Sequence, residues 1–198
     1  MAIYSRSFSI IHKADQSPLT EADTAANEII TERLRLLTPD IPILSEESFE
    51  AFTTPNAQGR YWLVDPLDGT KEFIKRNGEF TVNIALIEHG KPVLGVVGVP
   101  ACDILYVGAI NYGAFLVDAD AKRTRIRVAQ RAPDTPWKVV SSRSHAGDNL
   151  EAYLAHLGEH ELIPMGVRSS FAWLRRVKRI FTRVWDQPVC GIPPRRKP

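Results

Sequence analysis

The sequence predicts an α+β fold in which one amphipathic helix precedes a largely antiparallel sheet. Between residues 61 and 118, apolar stretches of strand length follow one another with only short turns between them. Strands in succession without intervening helices pair antiparallel. Upstream, a helix-capping pattern introduces a helical apolar periodicity. Acidic residues follow the apolar stretches at two places, so the candidate chemistry lies at strand ends.

The predicted helix begins at Thr20. Thr20 is suited to the N-cap position, and Asp23, three residues later, completes a capping-box pattern. Pro39 ends the helix, because the residue before a proline is disfavoured in helical conformation. The predicted apolar stripe consists of Ala25, Ile29, Leu34 and Leu37.

The predicted strands are short and separated by turn residues. Within 80–88, apolar residues alternate with Thr81 and Asn83, which is typical of a strand with two different faces. His89-Gly90 is predicted to turn this strand into the next one, and Asp65-Pro66 to stop an earlier one. The strands predicted here are Ile41–Ser45, Tyr61–Val64, Phe80–Glu88, Pro92–Val99, Leu105–Ala109 and Ala114–Asp118.

Three regions are predicted along the chain. Residues 1–132 form an α+β unit, and a proline-containing linker leads into a partial α/β unit over 133–172. Lys138–Ser142 starts the structured part of that unit, and a helix is predicted at Asp148–Leu157. Residues 173–198 form a tail rich in Arg and Lys.

Composition and charge restrict the function classes. The net charge of +2 over 198 residues does not favour nucleic-acid binding, and the Arg density of the tail is weak evidence for it. No apolar stretch is long enough to span a bilayer, and the N-terminus lacks a signal-peptide pattern. Two cysteines, Cys102 and Cys190, are too few for a disulfide framework, which favours a cytoplasmic location. A peripheral position on the inner membrane face and the oligomeric state stay open.

Two carboxylates, Asp65 and Asp68, lie three residues apart directly after an apolar strand. Pro66 and Gly69 are predicted to turn the chain so that both carboxylates reach one point. Mg²⁺ prefers oxygen ligands of this kind, and two-metal phosphatase sites use carboxylates to clamp their ions. The ordinary alternative is a surface turn with acidic caps. A second acidic pair, Glu46-Glu47, follows another apolar strand and favours the metal site.

Three motifs resemble those of the inositol monophosphatase superfamily. Asp65–Thr70 reads Asp-Pro-Leu-Asp-Gly-Thr, like the signature of that family. Leu44–Glu47 is similar to its upstream Glu-Glu element, and Leu19–Asp23 to its Thr-x-x-Asp element. They occur in the order of the family, and the resemblance covers roughly residues 13–165.

The segments after the signature narrow the resemblance to the 3′(2′),5′-bisphosphate nucleotidase branch. Thr70–Phe73, Arg76–Ile84 and Ser142–His145 are similar to that branch and differ from inositol phosphatases. The resemblance implies a layered α-β-α-β-α sandwich and a Mg²⁺-dependent phosphomonoesterase of sulfur assimilation. Its substrate would be a small-molecule nucleotide bisphosphate, 3′(2′)-phosphoadenosine 5′-phosphate, converted to AMP and phosphate. The alternatives are an inositol-phosphate or sugar-phosphate phosphatase, and a truncated member without catalysis.

The resemblance also implies metal ligands. Glu46, Asp65 and the carbonyl of Leu67 would hold one Mg²⁺, and Asp65 and Asp68 a second. The family has a further metal-binding Asp in a Trp-Asp-x-Ala element at the start of a helix. Here Gln187-Pro188 follows Trp185-Asp186, and proline at that place is incompatible with such a helix start. Two or more Mg²⁺ ions are therefore implied, with the Asp of the third site missing.

Catalytic and substrate-binding roles follow in the same way. Thr70, hydrogen-bonded to Asp23, would position and deprotonate the attacking water, which Glu46 helps to orient. For Lys71 a solvated position, and for His145 a structural one, is an equal alternative. The residues implied in substrate binding are Asp68, Gly69, Thr70, Lys71, Arg143 and His145.

The basic tail is interpreted as an out-of-frame translation. With suitable codons, the adjacent reading frame of 178–194 encodes what the family has at this place, which indicates a frameshift between Arg175 and Lys178. The N-terminus is also short, since the family opens with a long helix before 12–15. The C-terminal α/β part is therefore expected to be incomplete.

Overall fold

The computed structural model describes residues 1–12, 18–127, 135–142 and 154–165. The chain divides into two compact units, whose described residues run from 1 to 127 in the first and from 135 to 165 in the second. The boundary at residue 132 and the basic tail over 173–198 stay predictions, because both lie outside the described residues.

A seven-stranded mixed sheet dominates the first unit. Its spatial strand order is β3-β4-β5-β6-β7-β8-β9, with β3 and β4 parallel and the later neighbours antiparallel. The α+β class and the antiparallel region are thus confirmed. The elements are β1 (Ile10–His12), β2 (Pro18–Thr20), α1 (Glu21–Leu37), β3 (Ile43–Ser45), a 3₁₀ helix (Glu46–Ala51), β4 (Arg60–Asp68), α2 (Thr70–Ile74), β5 (Thr81–Glu88), β6 (Lys91–Val99), a 3₁₀ helix (Pro100–Cys102), β7 (Ile104–Ala109), β8 (Gly113–Val117) and β9 (Arg123–Ile126).

Helix α1 begins as the sequence indicates. Thr20 is the N-cap and forms the reciprocal capping box with Asp23. The predicted apolar stripe is wrong at Ile29 and Leu37, which are 61% and 76% exposed. Ile30, rather than its neighbour, packs towards the sheet together with the buried Leu34. Since successive helical residues differ by about 100° in direction, this change of one residue rotates the buried face of the helix.

Two apolar clusters hold the strand that carries the acidic motif. Trp62 and Val64 of β4 pack against Leu34 of α1, and the Trp62 indole N–H donates to Thr38 Oγ1 at 2.9 Å. The second cluster joins Leu67 near the end of β4 to aromatic rings of α2, the residue before β5 and the N-terminal segment. Its aromatic members are Tyr4, Phe8, Phe73 and Phe80. These contacts fix both ends of the acidic segment.

Two strands of the seven-stranded sheet differ from the sequence prediction, and the small antiparallel pair of β1 and β2 was not predicted either. Strand β4 does not stop at Asp65-Pro66 but continues to Asp68, with an irregular register over its last residues. Strand β9 was not predicted, because Arg123–Ile126 has almost no apolar content. It pairs with β8 at the edge of the sheet, where charged residues discourage pairing with other chains.

The second unit contains two parallel strands, β10 (Trp137–Ser142) and β11 (His160–Met165). Strand β10 covers Lys138–Ser142, a segment for which no element type was predicted. The end of the predicted preceding helix, over 154–157, is helical, and its earlier part lies outside the described residues. Among the described residues of the whole chain, no helix is long and apolar enough to cross a membrane.

Candidate active site

The two acidic segments meet because β3 and β4 are parallel neighbours. Ser45, the last residue of β3, pairs with Val64, and β4 continues from there to Asp68. Glu46 and Asp65 are the next residues of the two segments, so they lie at the same end of this parallel pair. This backbone arrangement is the one that the sequence predicts for the two acidic segments.

A β-bulge brings Asp65 and Asp68 to the same face of the sheet. Asp65 lies opposite Asn83 and Asp68 opposite Thr81, so three steps along β4 match two steps along β5. In a regular strand, residues three apart point to opposite faces. The extra residue of the bulge cancels this alternation. The bulge contains Pro66, which has no N–H to donate to a ladder, and Pro66 is fully buried.

Burial and neighbouring negative charges together raise the pKa of Asp65. Burial is the largest cause that raises the pKa of Asp65 to about 7, followed by the negative charges of Asp68 and Glu46. Hydrogen bonds from the Asn83 side chain and the Leu67 backbone amide favour the charged form but do not offset this. Among the described residues, buried Asp65 Oδ1 has no hydrogen-bond partner. An unpaired buried carboxylate oxygen is unusual and is characteristic of a site that takes a ligand.

The pKa of Asp68 is also raised. Burial of the carboxyl group is the largest cause of its raised pKa, although the residue as a whole is exposed, so the rise is smaller than burial alone would give; Glu46 and Glu72 raise the pKa further. Asn83 and Thr81 lower the pKa of Asp68 by hydrogen bonding. Within the described residues the buried Thr81 hydroxyl makes no full hydrogen bond, so its effect on Asp68 is a weak one.

Helix α1 supplies the acidic partner of Thr70. Asp23 is 2% exposed, and its Oδ2 accepts from the backbone N–H and the hydroxyl of Thr20 at 2.8 and 2.6 Å. Its other oxygen, Oδ1, lies 3.2 Å from Thr70 Oγ1. Thr70 Oγ1 is also 3.4 Å from the carbonyl oxygen of Leu67. The hydrogen bond that the resemblance implies between Thr70 and Asp23 is therefore present.

The same helix also holds the segment before Glu46. Asn27, one turn after Asp23, accepts a hydrogen bond from Ser45 Oγ at 2.7 Å, and Ser45 is completely buried. Residues four apart lie on one face of a helix. One face of α1 therefore positions both Thr70, through Asp23, and the carboxyl end of β3, through Asn27.

Gly69 is required by the turn between β4 and α2. It has a φ of +94°, and a Cβ atom built on it would lie 2.8 Å from the carbonyl oxygen of Glu79. A glycine avoids both the strain of that conformation and the clash. The chain can therefore pass from the bulge directly into α2, which begins at Thr70.

The donor chemistry of this site fits a hard divalent cation. Asp65, Asp68, Glu46 and the backbone carbonyl of Leu67 offer oxygen atoms, the ligands that Mg²⁺ prefers. In the described part of the chain, however, no three His, Cys, Asp or Glu side chains are arranged to hold a metal ion as they lie. Like-charged carboxylates repel one another when no cation is between them. The three-carboxylate ligand set therefore stays a prediction.

The remaining predicted residues divide into two groups. Lys71 lies on α2 with an exposed side chain. Arg143, His145 and Asp186 lie outside the described residues, so their roles stay predictions. Sequence reasoning missed four polar residues of this site, although the alternation of β5 had marked two of them as sharing a face. These residues are Asn27, Ser45, Thr81 and Asn83.

Most of the chain matches a single known protein family. The sequence model of the inositol monophosphatase family matches residues 1–172, so the chain belongs to this family. The family match ends where the basic tail begins.

Individual relatives point to one branch. The chain is 49% identical over 183 residues to the 3′(2′),5′-bisphosphate nucleotidase CysQ of Escherichia coli K12, covering 89% of this chain and 72% of the relative. It is 50% identical over 180 residues to the CysQ of Salmonella typhimurium, covering 88% and 71%. The crystal structure of CysQ from Bacteroides thetaiotaomicron superposes with a TM-score of 0.65 at 38% identity, covering 83% of this chain and 66% of that one.

Proposed function

We propose that this chain is a Mg²⁺-dependent phosphomonoesterase that hydrolyses 3′(2′)-phosphoadenosine 5′-phosphate to AMP and phosphate. The observation that carries the proposal is the bulge of β4, which puts Asp65 and Asp68 on one face beside the strand end that leads to Glu46. The substrate is taken from relatives named bisphosphate nucleotidases at 49% and 50% identity.

The cation would be held by the oxygen atoms of Glu46, Asp65, Asp68 and the Leu67 carbonyl. When bound, Mg²⁺ supplies positive charge to the phosphate oxygens and lowers the pKa of water. Asp65 Oδ1 is the donor atom that most favours a cation, because it is buried without a hydrogen-bond partner among the described residues. We expect two or more ions and no ligand from Asp186.

Thr70 and Asp23 would handle the proton of the attacking water. The Thr70 hydroxyl donates to Asp23 Oδ1, so the lone pairs of Thr70 Oγ1 stay available to accept a hydrogen bond from water. Asp23 Oδ2 is already engaged by Thr20, which fixes the carboxylate. As the water oxygen would form its bond to phosphorus, its proton would pass to Thr70 Oγ1 while the Thr70 hydroxyl proton passes to Asp23 Oδ1. The ester P–O bond would break, and the leaving nucleotide oxygen would take up a proton from solvent water. The 5′-phosphate remains on the product.

The substrate would be received at the start of α2. The backbone amides of Gly69 and Thr70 lie where the chain leaves the bulge, and they can donate to phosphate oxygens. Lys71 follows with an exposed ammonium group. Arg143 and His145 would contact the nucleotide part of the substrate.

We also propose a location for the protein and an origin for its basic tail. We place the protein in the cytoplasm, because the low cysteine content suits a reducing compartment. The interpretation of 173–198 as an out-of-frame tail is supported by the end of the family match at residue 172. The division into 1–132 and 133–172 is proposed from the proline-containing linker in the sequence.

The test is phosphate release by the purified full chain. Substrates should include 3′-phosphoadenosine 5′-phosphate, inositol 1-phosphate and fructose 1,6-bisphosphate, each with Mg²⁺ and with EDTA. We expect Mg²⁺-dependent release from the nucleotide in preference to the others, abolished by Asp65→Asn. Asp120→Asn is the matched control, because Asp120 lies in the exposed turn after β8 and should leave the rate unchanged. Hydrolysis that persists in EDTA, or a preference for inositol phosphate, would contradict the proposal.

A further inference from the structure

Asn83 occupies the centre of the acidic site although it carries no charge. It lies in β5 directly opposite Asp65 in the antiparallel register. Its side chain is half-buried on the face of the sheet that carries Asp65 and Asp68, and hydrogen bonding from it lowers the pKa of both carboxyl groups. It is thus a neutral side chain that contacts both members of a like-charged pair.

The chemistry of the amide suits this position. An ionised carboxylate only accepts hydrogen bonds, whereas the NH₂ group of asparagine has two N–H donors. One amide can therefore donate to two carboxylates at once. Because the bulge places Asp65 and Asp68 on the face of β5 that carries Asn83, no rearrangement of the backbone is needed for these contacts. Without such a bridge, repulsion between the two carboxylates would drive them apart.

We propose that Asn83 is a positioning residue that holds Asp65 and Asp68 at the separation at which they can share a divalent cation. The proposal rests on the proposed function for the identity of that cation. Asn83 acts through the two carboxylates, as partners of metal ligands commonly do in orienting those ligands. Its loss should therefore weaken cation binding more than it weakens the fold.

The experiment is a calorimetric titration of the intact chain with Mg²⁺ alone. Asn83→Leu has a similar size but no donors, and we expect the Kd for Mg²⁺ to rise by about tenfold or more. Asn83→Ser retains one short donor and should give an intermediate Kd. Ile87→Ala is the matched control, because Ile87 is buried at the opposite end of the same strand. It should lower the melting temperature without changing the Kd.

Three results would overturn this role of Asn83. One is an unchanged Kd in both Asn83 variants, another is an Ile87→Ala variant that loses as much affinity as Asn83→Leu, and the third is a wild-type chain with no saturable Mg²⁺ binding. Phosphate release is measured in parallel. Graded affinities without hydrolysis would contradict the proposed function but support the inference, and hydrolysis with unchanged affinities would do the reverse.

Discussion

The substitution Asp65→Asn should have opposite effects on the metal-free and the Mg²⁺-bound protein. The pKa of Asp65 is raised to about 7, first by burial and then by the negative charges of Asp68 and Glu46. At neutral pH and above, the ionised carboxylate therefore destabilises the metal-free fold. Asparagine has a similar shape but cannot ionise, so it removes this destabilisation together with the charge that attracts the cation.

The magnitude follows from the change in pKa. At ~1.36 kcal/mol for each pKa unit, a rise from the ordinary 3.8 to about 7 sets an upper bound of about 4 kcal/mol. Since Asp65 keeps some access to solvent, screening reduces this to about 2 kcal/mol. The pKa is higher in the folded than in the unfolded state, so the contribution of this group to stability is fully present below about pH 4. It is lost as the pH rises through about 7.

Urea unfolding in EDTA at pH 4, 6 and 8 measures this effect. Asp65→Asn should be about 2 kcal/mol more stable than wild type at pH 8, and the difference should shrink towards pH 4. With saturating Mg²⁺ at pH 8 the order should reverse, because the cation stabilises the wild-type chain through binding. Asp120→Asn, in an exposed turn, is the control for a general change in net charge. A difference between Asp65→Asn and wild type that does not vary with pH would refute this reasoning.

Three further substitutions test the site. Thr70→Val should lower kcat by about 10²-fold or more, whereas Thr70→Ser, which keeps the hydroxyl, should retain most of the wild-type kcat. If steady-state assays show that both variants lose the same fraction of kcat, the Thr70 hydroxyl does not take part in proton transfer. Gly69→Ala should reduce the free energy of unfolding by at least about 3 kcal/mol, because the new Cβ adds backbone strain and would lie 2.8 Å from the Glu79 carbonyl oxygen. Gly90→Ala is the control with positive φ but open space, and it should cost only about 1 kcal/mol. Similar losses for both variants in urea titrations would argue against the close contact at Gly69. Asp186→Asn should leave Mg²⁺-dependent hydrolysis unchanged, and a loss of rate would show that the tail is a functional element.

Local interactions were the predictable part of this protein. The capping box of Thr20 and Asp23 depends on residues three apart, so the sequence is sufficient to predict it. The strand Thr81–Glu88 and its hairpin turn follow from alternation and from Gly90 for the same reason. The meeting of the two acidic segments was also predictable, because each directly follows a short apolar stretch of strand.

Interactions that depend on register were not predictable. The bulge of β4 is a feature of its register with β5, in which Asp65 lies opposite Asn83 and Asp68 opposite Thr81, and no local signal specifies that alignment. Proline at residue 66 suggested a strand end, but a bulge tolerates it. The apolar stripe of α1 was ambiguous because Ile29 and Ile30 are adjacent, and tertiary packing selects the second. The role of Asn83 depends on the bulge, so it emerges only from the folded sheet.

Diffraction from crystals grown with Mn²⁺ tests the central claim most directly, because the anomalous signal of Mn²⁺ locates the ion independently of the model phases. Mn²⁺ accepts the same oxygen ligands as Mg²⁺. We predict an anomalous peak within coordination distance of the carboxylates of both Asp65 and Asp68, at the edge of the sheet where β3 leads into Glu46. A peak at other residues, or none at saturating Mn²⁺, would contradict the account.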